Sequence, residues 1–271
     1  MPKVIILGSS NAIPTKDSEN THMVVVGNER IVLIDSVSNP ILRLEQAGLD
    51  INDITDIIVT HFHPDHASGV PLLLMDMWLI GRQKPLNIYG LQYTLDRVEG
   101  LMGFYNWSAW PNFFPVTFHR LPAEEMTPVM DCSDFIIHAS PVKHMIPNIG
   151  LRIEFAQSQK VMAYSCDTEP CDEVVRLSEG VDVLIHEAGG DSIGHTSAKQ
   201  AGEIARKAEV GKLYLIHYAT GKYATGDLIA EARTTFPGDV ALAKDFMVLD
   251  FSKRIPLSQF GRGHKNNDHR G

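Results

Sequence analysis

Four side chains of metal-binding type stand within six positions in the segment His61-Phe62-His63-Pro64-Asp65-His66. Imidazole nitrogen and carboxylate oxygen are the donors a zinc-type divalent ion prefers, and a catalytic site leaves one coordination position open to water. On an extended strand end, positions one and three point the same way, so His61 and His63 aim together. A turn at Pro64 then brings Asp65 and His66 round to a second, adjacent point. One segment thereby offers two pairs of donors to two neighbouring ions.

Further donors stand singly. His144 follows Pro141-Val142-Lys143, Asp167 follows Val161–Tyr164 by way of Ser165-Cys166, and His217 closes the run Lys212–His217. Each lies just past a predicted strand, where the loops of a sheet protein gather on one rim. Taken with the first motif, these three turn a local histidine cluster into a set of seven candidate ligands.

The elements that must position them are legible as short apolar, β-branched runs bounded by turn residues: Val4–Leu7, Met23–Val26, Ile31–Ile34 and Ile57–Val59. Pro40–Leu49 reads as a short helix ended by Gly48. The metal motif then sits on a loop at the carboxyl end of a strand and runs into one helix predicted over Ala67–Trp78. Leu86–Tyr89 and Val116–Leu121 read as strands, with a helix at Gln92–Met102 between them. In the second half, strands are predicted at Phe135–Ala139, Ile149–Phe155, Val161–Tyr164, Val183–His186, Lys212–His217, Val240–Ala243 and Met247–Phe251. Helices are predicted at Asp172–Ser178, Ser197–Ala208 and Leu228–Thr235, the second with Ala198, Ala201, Ile204, Ala205 and Ala208 on one face. Two strand-rich halves, each with helices, predict a four-layer αββα sandwich of class α/β, with two mixed sheets face to face and helices outside. The domain is expected over 1–255, with a disordered tail at 256–271 that has nothing to bury.

The whole chain is compatible with this. Its 271 residues are long enough to bury a sizeable core, and 44% hydrophobic with 21% charged residues is ordinary for a soluble globular protein. No apolar run is long enough for a membrane span, since Val70–Ile80 is short and interrupted by Asp76. The N-terminus reads as a first strand and not as a signal peptide. Three cysteines with no C-x-x-C spacing point to a reducing cytoplasm. A formal net charge of −9 argues against a general nucleic-acid binder.

The residues resemble the metallo-β-lactamase superfamily, and within it the ribonuclease Z branch of phosphodiesterases. The resemblance runs from Val4 to about His217 through the Leu7-Gly8 turn, Asp35, Thr60–His66, His144, Asp167, His186-Glu187-Ala188, Gly194-His195-Thr196-Ser197 and His217. It implies one ion held by His61, His63 and His144, another by Asp65, His66 and His217, and Asp167 between them. It implies two divalent ions, zinc first and manganese or iron as substitutes, and a bridging hydroxide as nucleophile. Asp65, His195 and Glu187 form the catalytic set that follows: His195 is expected to give a proton to the leaving alkoxide, with Glu187 orienting its ring.

The chain departs from that branch in places that bear on substrate. Asp35-Ser36-Val37-Ser38-Asn39-Pro40 lacks glycine where backbone would approach a phosphate. Only 22 residues separate His144 from Asp167, which leaves no room for a tRNA-binding arm. Together with the acidic charge these features make tRNA doubtful and predict a small-molecule ester substrate. A phosphodiester is the first expectation, and an aryl sulfate, lactone or thioester on the same site the alternative. The aromatic segment from Phe104 to Phe114 reads equally as a lid over the metal cleft, as a homodimer interface or as a second small core. Cys166 beside Asp167 reads as inert packing or as a modifier of access to the metals.

Overall fold

The computed structural model describes residues 1–252; the tail predicted at 256–271 lies outside the described residues. Strands β1 (Lys3–Gly8), β2 (His22–Val26), β3 (Ile31–Ile34), β4 (Asp56–Ile58), β5 (Leu86–Leu91) and β6 (Val116–Leu121) build one sheet in chain order. Strands β7 (Thr127–Asp131), β8 (Phe135–Val142), β9 (Asn148–Phe155), β10 (Val161–Tyr164), β11 (Val183–Glu187), β12 (Lys212–Ile216) and β13 (Asp239–Leu242) build the other. The chain then returns to the first sheet, where β14 (Val248–Asp250) pairs antiparallel with β1. Both sheets are mixed: hairpin-like pairs open each one, and parallel pairs follow, β3 through β6 in the first and β10 through β13 in the second.

Alternation along the strands sorts their side chains into layers. Ile6, Met23, Val25, Ile34 and Ile58 meet Phe135, Leu151, Ile153, Tyr164 and Ile185 in the core between the sheets. Phe155 stacks on Phe251 at 4.1 Å, which fastens the end of β14 between the layers. Each fully buried side chain of this size contributes about 1.5–3 kcal/mol. The opposite face of the first sheet packs on α1 (Pro40–Gln46), α2 (Pro64–Ala67), α3 (Val70–Leu79) and α4 (Gln92–Phe104). That of the second packs on α5 (Asp172–Leu177), α6 (Ala198–Lys207) and α7 (Leu228–Arg233). The four-layer αββα sandwich expected from the sequence is the fold observed.

Local signals account for most element ends. Ser197 caps α6 by accepting from the Gln200 backbone N–H, and the Gln200 side chain accepts from Ser197 N–H in return, so Ser197→Ala should cost about 1 kcal/mol. Two elements differ from expectation. The single helix predicted at Ala67–Trp78 is broken into α2 and α3 at Gly69. There the β3–α1 loop presses on the helix: Ser36 N–H donates to His66 O, Gly69 N–H donates to Ser36 O, and a Cβ at 69 would meet Val37 N at 2.6 Å. Strand β7 was not expected at all, because Pro128 and a register shift between Pro128 and Met130 interrupt the alternation of an edge strand. No helix among the described residues is long and apolar enough to cross a membrane.

Candidate metal centre

All seven candidate ligands lie past strand ends on one rim. His61 and His63 follow β4, and Pro64 starts α2 so that Asp65 and His66 fall in its first turn. His144 follows β8, Asp167 follows β10 and His217 follows β12. Register sets the last two beside each other: β10 and β12 flank β11, with Tyr164 opposite Ile185 and Glu187 opposite Ile216. Asp35, Cys166 and His217 turn the chain at their strand ends with positive φ, a conformation uncommon for residues other than glycine and concentrated at functional sites.

The structure gathers the seven into two adjacent clusters. In the first, His63 Nδ1 lies 3.1 Å from His61 Nε2 and 3.1 Å from His144 Nε2. A single ring N–H at His63 satisfies one of those lone pairs and not both, whereas a cation between three imidazoles satisfies all. In the second, His217 Nε2 lies 3.4 Å from Asp65 Oδ2 and 3.3 Å from Asp167 Oδ2, and His66 Nε2 lies 3.7 and 3.4 Å from the same two oxygens. Asp167 Oδ2 also stands 3.9 Å from His61 Nε2, between the clusters. His66 Nε2 and Asp167 Oδ1 are buried without a hydrogen-bond partner. In each cluster the donor atoms all lie within 4.8 Å of one another, and this donor set with its unpartnered buried atoms fits divalent metal.

The electrostatics run the same way. Burial pushes His61, His63 and His144 below the ordinary imidazole range, which keeps their lone pairs free. Asp167 is wholly buried, yet His217 and His66 hold it well below the usual carboxylate range. Burial also opposes charge on His66, but Asp167 and Asp35 raise it well above the ordinary value. A potential that raises affinity for a proton raises it for any cation placed there.

His195 and Glu187 stand beside the clusters. The His195 ring lies 5.3 Å from that of His144 and stacks at 5.5 Å on that of His217. Its Nδ1 is 3.1 Å from Glu187 Oε1, an interaction that raises the ring's affinity for a proton. Burial pushes the Glu187 carboxyl up. Its oxygens nevertheless accept from Thr168, Gly189 and Thr196 backbone N–H groups as well as from His195, a set of donors that favours the carboxylate form. The loop carrying His195 also touches the clusters through backbone: Gly194 O accepts from His144 Nδ1 at 2.7 Å. Gly194 has φ +83°, and a Cβ there would come within 2.9 Å of that same nitrogen, so glycine is required twice over.

Several participants escape reading by residue type. Asp35 accepts from Thr60 N–H at 2.8 Å, from Thr60 Oγ1–H, and from His66 Nδ1 at 2.8 Å. It fixes which His66 nitrogen faces the cluster, a role typical of the partners of metal ligands. Glu169 accepts from Gly194 N–H at 3.0 Å and pairs with Lys143 at 2.6 Å, joining the His144 and His195 loops. No spacing rule finds Glu169. Cys166 Sγ is 3.1 Å from Thr60 Oγ1 and 3.7 Å from His61 Nδ1, and burial pushes the thiol up to about 12, so it packs as a neutral group. The aromatic segment joins the outer core of the first sheet: Trp110 stacks on Trp78 at 4.9 Å, Trp78 Nε1 donates to Pro111 O, and Trp107 and Phe113 pack on the same cluster.

Residues 30–218, well over half the chain, match the family model described as β-lactamase superfamily domain. The chain belongs to the β-lactamase superfamily. It is a hydrolase of that family, whose fold implies divalent metal ions. Ribonuclease Z of Methanothermobacter thermautotrophicus is 26% identical, over 92% of this chain and 97% of that protein. The metallo-β-lactamase fold protein YhfI from Bacillus subtilis superposes with a TM-score of 0.76 at 22% identity, covering 92% of this chain and 98% of that one. The short form of human tRNase Z superposes at 0.74 and 24% identity, covering 92% and 99%.

These relatives overturn one expectation, that of a small-molecule ester substrate with tRNA doubtful. Proteins matched over nearly their entire length carry the name ribonuclease Z. The doubt came from a loop without glycine, a short His144–Asp167 interval and the acidic net charge, and none of the three excludes an RNA at the site. Net charge sums the entire surface, whereas a phosphodiester backbone responds to the charge close to where it lies.

Proposed function

We propose that this superfamily hydrolase is a ribonuclease Z-type phosphodiesterase whose substrate is an RNA of the tRNA class. The observation that carries the reading is the pair of donor clusters sharing Asp167 Oδ2, with the His195–Glu187 pair beside them. His61, His63 and His144 would hold one ion, Asp65, His66 and His217 a second, and Asp167 both. When bound, two ions of zinc type would supply a hydroxide nucleophile at neutral pH and neutralise charge on the phosphoryl oxygens of an in-line displacement.

The chain's own groups do the remainder. Glu187 holds the Nδ1 side of His195, so His195 Nε2 is the atom left to carry a proton to the leaving ribose oxygen. Burial of Glu187 beneath that ring keeps its charge out of water and the imidazole in one orientation. Asp35 and the Gly194 carbonyl fix the Nδ1 sides of His66 and His144, leaving both Nε2 atoms turned to the clusters. Three cysteines, all unpaired, support a cytoplasmic setting.

Purified protein should contain about two transition-metal equivalents, cleave a 3′-extended tRNA transcript and bis(p-nitrophenyl) phosphate, and lose both activities to a chelator. Hydrolysis of p-nitrophenyl sulfate or a lactone with no phosphodiester cleavage would overturn the reading.

A further inference from the structure

A cavity of about 220 Å³ opens beside the candidate metal centre, lined by Phe62, His63, Pro64, Ala67, Ser68 and Leu101. His63 belongs to both places, since its Nδ1 faces His61 and His144 while its side chain also borders the cavity. The lining comes from the metal-motif segment with α2 on one side and from α4 on the other. Ser68 and His63 are its only polar side chains, so water inside finds few of the partners that ordered water needs. Leu101 is half-buried here. Phe104, one helical turn further on the same helix, is 90% exposed, the most exposed large apolar side chain among the described residues.

An RNA phosphodiester placed at the clusters carries a nucleoside on each side of the reacting phosphate. We infer that this cavity is the subsite for one unpaired nucleobase flanking the scissile phosphate, held by stacking and shape between Phe62 and Leu101. The inference rests on the ribonuclease reading and adds a specificity element to it. Continuity with the donor clusters through His63 selects the occupant: a ligand seated here is one nucleotide from the reacting atoms. The apolar lining gives the site a definite character. It offers the face of any base a stacking partner and leaves the hydrogen-bonding edges unread, so it requires a base and tolerates all four.

The test uses the metal-loaded enzyme and a cleavable RNA in which the nucleotide 5′ or 3′ of the scissile phosphate carries either a base or an abasic ribose. Fluorescence anisotropy on the His195→Ala variant, read before its slowed cleavage proceeds, measures binding of the same RNAs. One of the two abasic substitutions should raise KM and Kd by about tenfold, the scale of one base stack, and move kcat by less than about twofold. Exchanging purine for pyrimidine there should change KM by less than about threefold. Leu101→Glu, which puts a charge into the cavity, should raise KM for the intact RNA to the abasic level and abolish the difference between the two RNAs. Leu101→Ala should reduce that difference without removing it, and serves if the glutamate variant does not fold. Equal binding of intact and abasic RNAs, or abasic and Leu101 penalties that simply multiply, would overturn the subsite while RNA cleavage leaves the proposed function standing. Base-dependent binding with no cleavage of any RNA would do the reverse.

Discussion

The two sheets supply the candidate centre in opposite ways. The first contributes His61, His63, Asp65 and His66 from one loop, placed by local geometry: an extended strand end, then a helix started by Pro64. The second contributes His144, Asp167 and His217 from three separate strand ends, placed by the register of β8 through β12. The support differs too. On the first sheet, the buried Asp35 carboxylate holds His66; on the second, a backbone carbonyl at Gly194 holds His144. A compact motif is thus tuned by a side chain, and a dispersed one by the chain path itself.

If the dispersed residues are equal partners, the most damaging single change should fall on the second sheet. Asp167 Oδ2 is the atom within reach of both clusters. Asp167→Asn is expected to leave one metal equivalent or less by elemental analysis. Its activity should fall by more than the roughly 10–100-fold that loss of a ligand's partner costs. Retention of two equivalents would show that Asp167 is not needed to hold either ion. His195→Ala, also on the second sheet, should lower kcat by about 10²–10³ with metal content intact. Loss of metal instead would make His195 a ligand and not a proton donor.

The contrast between the sheets also governs how much was legible in the sequence. Donors on one loop declare themselves by spacing, and those at strand ends by following an apolar run, so all seven stand out as candidates from the sequence. The four-layer fold followed from the order of strands and helices. Legibility ended where tertiary contact decides. Gly69 looks like any helical glycine until Val37 is seen against it, and β7 shows no alternation because Pro128 and a shifted register break it. Glu169 acts through a backbone N–H at Gly194, which no spacing rule reports. Asp35 was noticed by resemblance alone, and the left-handed turn that swings it under His66 has no glycine to mark it.

Asp35 gives the next sharper test of the same contrast. Asn at position 35 keeps the shape but not the charge facing His66 Nδ1 and Thr60. Asp35→Asn should weaken metal retention against a chelator by about 10–100-fold, with a native circular dichroism spectrum. Replacing Glu169 with Gln should do less, because the Gly194 carbonyl that orients His144 remains in place. Equal losses in the two variants would mean that side-chain support matters alike on both sheets.

The smallest effect concerns stability, and each sheet carries its own example. His22 on β2 and His186 on β11 are buried, each with Nδ1 bonded to a backbone carbonyl, of Asn20 and Glu187 respectively, and each with an unpartnered Nε2. Burial lowers both from 6.5 to about 4. The unfolded chain therefore takes up a proton that the folded one refuses as pH falls through 6.5, so the stability from keeping these rings neutral is present above that pH and lost towards pH 4. Between pH 7 and pH 5 the loss is about 2 kcal/mol per ring. Asn at either position keeps a donor for the carbonyl and removes the titration. The gap in unfolding free energy between wild type and His186→Asn should thus narrow by about that amount over the interval, read by urea titration at each pH, and likewise for His22→Asn. Arg43 and His66 also bear on His22 by charge, whereas no side-chain charge is a cause at His186. In an Arg43→Met background the narrowing at His22 should therefore shrink and that at His186 should not. An equal response to Arg43→Met at both would show that burial alone does not set the second ring.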